Sequence, residues 1–300
     1  MPIFNNIKGF PSVFWYFFVA TFINKAGALM MPFLSRFLNI DCHFSLSDTG
    51  WIFFFLGLGT VCGTFASGWF IDKFGAYKVI LISLISSAIL LVLLALVVDF
   101  QLFCLIIFIF SFNADMLRPS ILITLNSFTN KSNRVQCFTL IRSASNLGLI
   151  IGPLIGSFLI LNNSKNFRFL FIIDALTCVI AAVIIGVLIH EKKLKYKLSS
   201  NLNSVFKLKF AAFKDNIFIL NNIVACISGI LFFQFFSVFP LYYSNANFQH
   251  FFKVDYLISI LAFVIAIFEI WIVNYYIARK YVNNLAIGAG MVFFIIGYLE

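Results

Sequence analysis

The feature that most constrains this chain is a series of long apolar runs, each close to the length of a bilayer crossing. A transmembrane helix needs ~20 mainly apolar residues, and nine runs approach or exceed that length. They lie near 13–35, 51–71, 78–98, 101–127, 136–161, 168–190, 216–240, 255–277 and 285–300. The last run would rise only ~24 Å as a helix, less than the ~30 Å hydrocarbon core. The sequence predicts an all-α, polytopic membrane protein.

The amino-acid composition agrees with lipid as the main solvent. Hydrophobic residues make up 62% of the chain and charged residues 11%, whereas soluble domains carry about 25% charged residues. The net charge of +10 would suggest nucleic acid in a soluble protein. With a cytoplasmic amino terminus, however, 14 basic residues lie in cytoplasmic segments and four in external ones. The positive-inside rule therefore predicts this orientation and a lipid bilayer as partner, with no role for nucleic acid.

One long polar connector, residues 191–215, divides the apolar runs into two groups. It is rich in lysine, and it follows six runs and precedes three. The predicted organisation is a six-helix bundle over residues 1–190, a basic cytoplasmic linker over 191–215, and a partial bundle of about three helices over 216–300.

The sequence contains none of the common metal-binding, redox, phosphate-binding or hydrolase motifs. The six cysteines are scattered without a CxxC pair, so neither a zinc site nor a redox pair is indicated. There is no G-x-x-x-x-G-K-[ST] phosphate loop, no HExxH and no G-x-S-x-G. We therefore expect no metal, no cofactor and no catalytic residue. An enzyme or receptor on a polytopic scaffold remains a weaker alternative.

A polar stretch between the second and third runs, GWFIDKFGAYK at residues 68–78, has an unusual pattern of charges and glycines. Gly75 permits a left-handed backbone at a tight turn, and Gly68 would allow close approach of another helix. The spacing of Gly68, Asp72, Lys73 and Gly75, followed by Lys78, resembles the G-x-x-x-D-[RK]-x-G loop of the major facilitator superfamily. The resemblance implies a conformational switch that latches two helix bundles in one state. The alternative is an ordinary turn between helices.

A second resemblance lies in the fifth run, where Gly148, Gly152, Pro153 and Gly156 match an element of the family's antiporter and efflux branches. Ser157 stands where that element has a final glycine. The three glycines, spaced by four, share one helix face on which another helix can pack closely, and Pro153 removes a helix hydrogen bond and should bend the span. The alternative is a general small-residue packing stripe.

The resemblance to the superfamily extends over nearly all 300 residues. The second-half counterpart of the switch loop is degenerate, with Asn274, Ala278, Arg279 and Tyr281 in place of Gly, Asp, Arg and Gly. Members of this family have twelve spans, so spans ten to twelve are expected to be missing from a chain truncated after about nine.

Ionisable residues within the apolar runs are candidates for function, because a charge in hydrocarbon is costly. The predicted cavity or coupling residues are Lys25, Asp115, Arg118, Arg142 and Glu269. The alternative for each is structural ion pairing, above all between Asp115 and Arg118, which are three residues apart on one helix. Asp174 is interpreted as structural, because it lies away from the expected midplane.

These patterns and the resemblance together imply a secondary active transporter that works by alternating access. We expect proton-coupled export of a small amphipathic solute across the bacterial cytoplasmic (inner) membrane, by a multi-pass protein with a cytoplasmic amino terminus. The alternative is a truncated, non-transporting remnant or a membrane scaffold.

Overall fold

The computed structural model describes residues 10–129, 134–162 and 167–189, together with scattered helical positions between 216 and 230. Within these residues the secondary structure is α-helical and contains no strand. The helices are α1 (Ser12–Ala26), α2 (Met30–Ile40), α3 (Leu46–Phe74), α4 (Ala76–Leu96), α5 (Phe100–Phe128), α6 (Arg134–Asn162) and α7 (Arg168–Leu188). Most of the predicted partial second bundle, the linker 191–215 and Glu269 lie outside the described residues.

Six segments of the described chain are long and apolar enough to cross a bilayer, counting α1 and α2 together as one. They coincide with the first six predicted runs to within a few residues, which confirms the all-helical polytopic fold. Large apolar side chains point outwards along these helices, for example Phe65 (90% exposed) and Phe158 (64% exposed). Such a surface suits hydrocarbon and would aggregate in water.

Polar caps and one glycine determine where the helices of the second to fourth spans begin and end. Ser45 and Asp48 form a reciprocal capping box at the start of α3, and the Asp99 carboxylate accepts the Leu102 N–H at the start of α5 (2.9 Å). Between α3 and α4 the chain turns on Gly75 alone, with φ 86°. L-residues rarely adopt this backbone conformation, so the turn depends on glycine.

The first span differs from the single helix predicted over 13–35, because it is broken between Ala26 and Met30. Gly27 ends α1, and the Leu29 N–H bonds the carbonyl of Gly27 (2.7 Å) instead of that of Lys25. Glycine is a poor helix former, and the Thr177 side chain from α7 occupies the space that a β-carbon at Gly27 would need. The break therefore depends on the contact between the first and sixth spans.

The helices pack in an order that differs from their order along the chain. α5 lies between α3 and α4, α7 lies between α4 and α1, and α6 packs on α1. Two glycines let α3 approach α5 closely. A β-carbon at Gly63 would lie 2.8 Å from the α-carbon of Phe112, and one at Gly59 would lie 3.2 Å from the carbonyl carbon of Phe108. This arrangement leaves a space between α1, α5 and α6.

Candidate functional site

A cavity of about 560 Å³ lies between these helices, and residues of α4 and α7 also line it. Four of the five ionisable residues predicted for a cavity line this one space. Lys25 comes from α1, Asp115 and Arg118 from α5, and Arg142 from α6. Residues far apart in sequence thus converge on a single volume, which is the size of a small-ligand site.

The rest of the cavity wall combines a few polar groups with a larger apolar surface. Asn24, Ser145 and Asn146 supply amides and a hydroxyl, while Phe138 and Leu117 belong to the apolar part. A solute bound here would meet both hydrogen-bonding groups and hydrophobic surface. Such a wall suits an amphipathic molecule better than an inorganic ion.

Asp115 is held by a residue of a neighbouring helix and not by Arg118. Its carboxylate accepts a hydrogen bond from the Thr60 hydroxyl of α3 (2.7 Å). Within the described part of the chain it forms no ion pair with Arg118. The intrahelical ion pair, which was the structural alternative for these two residues, is not found among the described residues, because Asp115 bonds the neighbouring helix and Arg118 is exposed on the cavity wall.

The break in the first span lies beside this cavity and is held by α7. The Asp174 carboxylate, whose residue is 5% exposed, accepts a hydrogen bond from the Met30 N–H at the start of α2 and interacts electrostatically with Lys25. The Asn24 amide donates to the Cys178 sulfur (3.2 Å). This hydrogen bond satisfies an N–H that has no partner within its own helix, so Asp174 stabilises the broken conformation.

The glycine face predicted on the fifth span packs against this same break. A β-carbon at Gly148 would lie 2.6 Å from the β-carbon of Lys25, and one at Gly152 would lie 3.3 Å from the Ala26 carbonyl oxygen. A β-carbon at Gly156 would meet the ring of Phe33 at 2.5 Å. The glycines therefore act through helix packing. Pro153 lies within continuous α6, and the bend expected there remains a prediction.

The residues of the predicted switch loop lie at the opposite end of α3 from its capping box. The Lys73 ammonium lies over the rings of Trp69 (4.7 Å) and Phe74 (5.4 Å), which is a cation–π arrangement. Lys78 is exposed at the start of α4. In the part of the chain that the structure describes, Asp72 has no hydrogen bond or ion pair.

Gly68 lies about one turn of α3 before Asp72, and its expected close helix contact is not found among the described residues. A β-carbon there would meet nothing within 4 Å. The close approaches on α3 occur at Gly59 and Gly63 instead. Their spacing of four was a signal for this contact in the sequence, whereas nothing in the sequence indicated Thr60 as a partner of Asp115.

The pKa values of two groups in the loop that follows the first span are raised. Burial raises the pKa of Asp41, and the Arg168 guanidinium and the Phe167 N–H only partly offset this effect. Burial also raises the pKa of the Cys42 thiol to about 11. No cluster of three His, Cys, Asp or Glu side chains suited to a metal ion occurs in the described ranges.

The helical spans and the solute-sized cavity between them define a polytopic α-helical membrane protein with a cleft between its helices. A model of the major facilitator superfamily matches residues 11–299, and the chain belongs to this family. The family consists of transporters, and not enzymes, that move solutes by alternating access.

A curated relative is similar to part of the chain. It is the multi-drug resistance efflux pump PmrA homolog of Lactococcus lactis subsp. lactis (strain IL1403), 28% identical over 143 residues. The alignment covers 46% of this chain and 35% of that relative's length.

Proposed function

We propose that this protein is a proton-coupled exporter of a small amphipathic solute that works by alternating access. The observation on which the proposal depends is the convergence of Lys25, Asp115, Arg118 and Arg142 on one cavity. Charges at this depth are costly unless they serve a water-filled path or bind a ligand. A relative named as a multi-drug resistance efflux pump supports export as the direction of transport.

Asp115 is the carboxylate best placed in the described residues to carry the coupling proton. It lies on the cavity wall and is held by a neutral hydroxyl instead of a permanent cation. A carboxylate paired with a hydroxyl can gain and lose a proton without breaking an ion pair. Glu269 is the corresponding candidate in the second half of the chain.

The switch loop would control which side of the membrane the cavity faces. Its Gly75 turn joins α3 directly to α4, and the exposed part of Asp72 is available to a partner outside the described half. Formation of that contact would hold one conformation, and its loss would release the other. The excess of basic residues in the predicted cytoplasmic segments supports a cytoplasmic amino terminus and placement of this loop on the inner side of the bacterial cytoplasmic membrane.

The test uses the purified 300-residue chain in liposomes with an imposed pH gradient and a pH-sensitive dye trapped inside. Amphipathic probes added outside should produce proton movement that empty liposomes do not show. Asp72→Asn should slow this movement by about tenfold, which corresponds to ~1.4 kcal/mol in activation free energy.

Asp99→Asn is the matched control, because asparagine caps a helix as well as aspartate does, and Asp99 is far from the switch loop in sequence. It should transport at the wild-type rate. If no probe moves protons with the wild-type chain, the alternative of a non-transporting membrane scaffold is favoured.

A further inference from the structure

The charge of the cavity wall is the feature from which the solute class can be inferred. Three basic side chains and one acidic side chain line the described wall, and Asp174 lies beside Lys25, so these groups carry an excess of at least one positive charge. Lys25, Arg118 and Arg142 are all exposed to the space. The carboxylate on the wall, Asp115, is already engaged by the Thr60 hydroxyl.

This excess creates a strong positive potential, since low-dielectric walls focus the field of a charged cleft. Two of the cations are guanidinium groups, which bind carboxylate, sulfonate or phosphate oxygens through paired N–H donors. They project from α5 and α6, on two sides of the same cavity. An acidic group on a bound solute would therefore be stabilised, whereas a cationic group would be repelled.

The apolar part of the wall defines the other half of the solute. Phe138, Ile141 and Leu149 of α6 and Leu117 and Leu122 of α5 face the same volume. A purely polar anion would leave this surface without a partner. An aromatic or aliphatic body joined to one acidic group matches both parts.

We infer that the cavity selects organic anions, in which one carboxylate, sulfonate or phosphate group is attached to a compact apolar body. The inference rests on the proposed function for its transport aspect, and its binding aspect can be measured separately. It assigns Lys25, Arg118 and Arg142 as the residues that determine charge selectivity.

A pair of probes with the same ring and opposite charge provides the test. Equilibrium dialysis of the full chain in a non-ionic detergent would compare 2-naphthalenesulfonate with 2-naphthyltrimethylammonium. We expect the sulfonate to bind at least about tenfold more tightly, since each decade of affinity corresponds to ~1.4 kcal/mol. Equal affinity, or tighter binding of the ammonium probe, would overturn the inference.

Variants of the cavity cations test the assignment of residues. Lys25→Met, Arg118→Met and Arg142→Met should each weaken sulfonate binding by about fivefold or more, in line with a partly hydrated ion pair, without weakening ammonium binding. The charge-retaining variants Lys25→Arg and Arg142→Lys should bind the sulfonate more tightly than the methionine variants, although lysine does not reproduce the paired N–H donors of Arg142. Because these variants change the size of the side chain and keep its positive charge, they separate the effect of losing charge from the effect of losing the fold.

Arg36→Gln is the control outside the cavity. Arg36 lies over the Phe167 ring (5.8 Å) and does not line the cavity, so sulfonate binding should be unchanged. An equal loss in Arg36→Gln and the cavity variants would indicate a general effect of net charge and would contradict the assignment.

Failure of this inference is distinguishable from failure of the proposed function. Tight sulfonate binding without proton movement in liposomes would uphold the inference and contradict transport. Proton movement driven by the ammonium probe alone would uphold transport and contradict the inference.

Discussion

Asp174 shows how one buried side chain can shape a membrane span. The carboxylate lies in the bundle interior, where water cannot solvate it, and its partners are the Met30 N–H and Lys25. An N–H at a helix start has no partner within its own helix. The acid on α7 therefore compensates the polar group that the break in the first span exposes.

We expect substitutions of Asp174 to destabilise the protein according to how much of this compensation they remove. Asp174→Asn keeps an acceptor oxygen, whereas Asp174→Leu leaves a buried N–H without a partner, at a cost of about 1–3 kcal/mol. Thermal unfolding in detergent should give the highest Tm for the wild type, a lower Tm for Asp174→Asn and the lowest for Asp174→Leu. A Leu variant as stable as wild type would contradict the capping role.

Asp41 gives a pH-dependent prediction. Burial raises its pKa above the ordinary 3.8 in the folded protein, so folding favours the protonated acid. The associated stability is complete below pH 3.8 and is lost as the pH rises through the raised pKa.

Asp41→Asn should consequently raise the Tm at neutral pH, where aspartate is ionised, and the difference should disappear near pH 4. Thermal melts across this range would measure it. A lower Tm for the Asn variant at neutral pH would mean that the attraction to Arg168 outweighs the cost of burial.

At the scale of helices, the central element is the broken first span, held between α6 and α7. The glycine face of α6 lies against Lys25, Ala26 and Phe33, and Thr177 of α7 lies against Gly27. Both neighbours touch the backbone around the break at very short range. A change of one methyl group at this contact must therefore move the first span.

Gly148→Ala provides that change. Its β-carbon would lie 2.6 Å from the β-carbon of Lys25 and 2.7 Å from the Ala26 nitrogen, so the helices must separate, at a cost of about 1–3 kcal/mol. We expect a lower Tm and weaker solute binding, measured by thermal unfolding and dialysis.

The matched control is Gly57→Ala on α3, where a β-carbon meets nothing within 4 Å of it. Alanine is the better helix former by up to ~1 kcal/mol, so this variant should be as stable as wild type or more so. If both alanine variants behave alike, close packing at Gly148 does not hold the span in place.

The sequence predicted the number and position of the first six spans because each is a long apolar run with polar ends. It also indicated the glycine face at Gly148, Gly152 and Gly156, because a spacing of four always lines one side of a helix. The break after Ala26 was missed, since it depends on Thr177 and Asp174, which are distant in sequence. The hydrogen bond from Thr60 to Asp115 could not be foreseen for the same reason, because Thr60 belongs to another helix.

At the scale of the whole molecule, the orientation in the membrane is a prediction that labelling can check. In a Cys226→Ser background, Ser47→Cys should react with a membrane-impermeant maleimide on intact cells. Lys73→Cys should react only after the membrane is made permeable. Both positions are exposed, so the side of the membrane on which each cysteine lies would decide whether it reacts.

The native Cys42 should contribute little background to this experiment. It is 7% exposed, and its pKa of about 11 leaves little thiolate at neutral pH. The reverse labelling pattern would place the amino terminus outside and would contradict the orientation inferred from the basic residues.

The packing order of the helices also has a consequence for biogenesis. The main partners of α1 are α6 and α7, which the ribosome makes much later. At 5–20 residues per second, the first span waits on the order of ten seconds before either partner emerges. During that interval Lys25 has no Asp174 beside it, and the unassembled intermediate is the form most open to quality-control proteases.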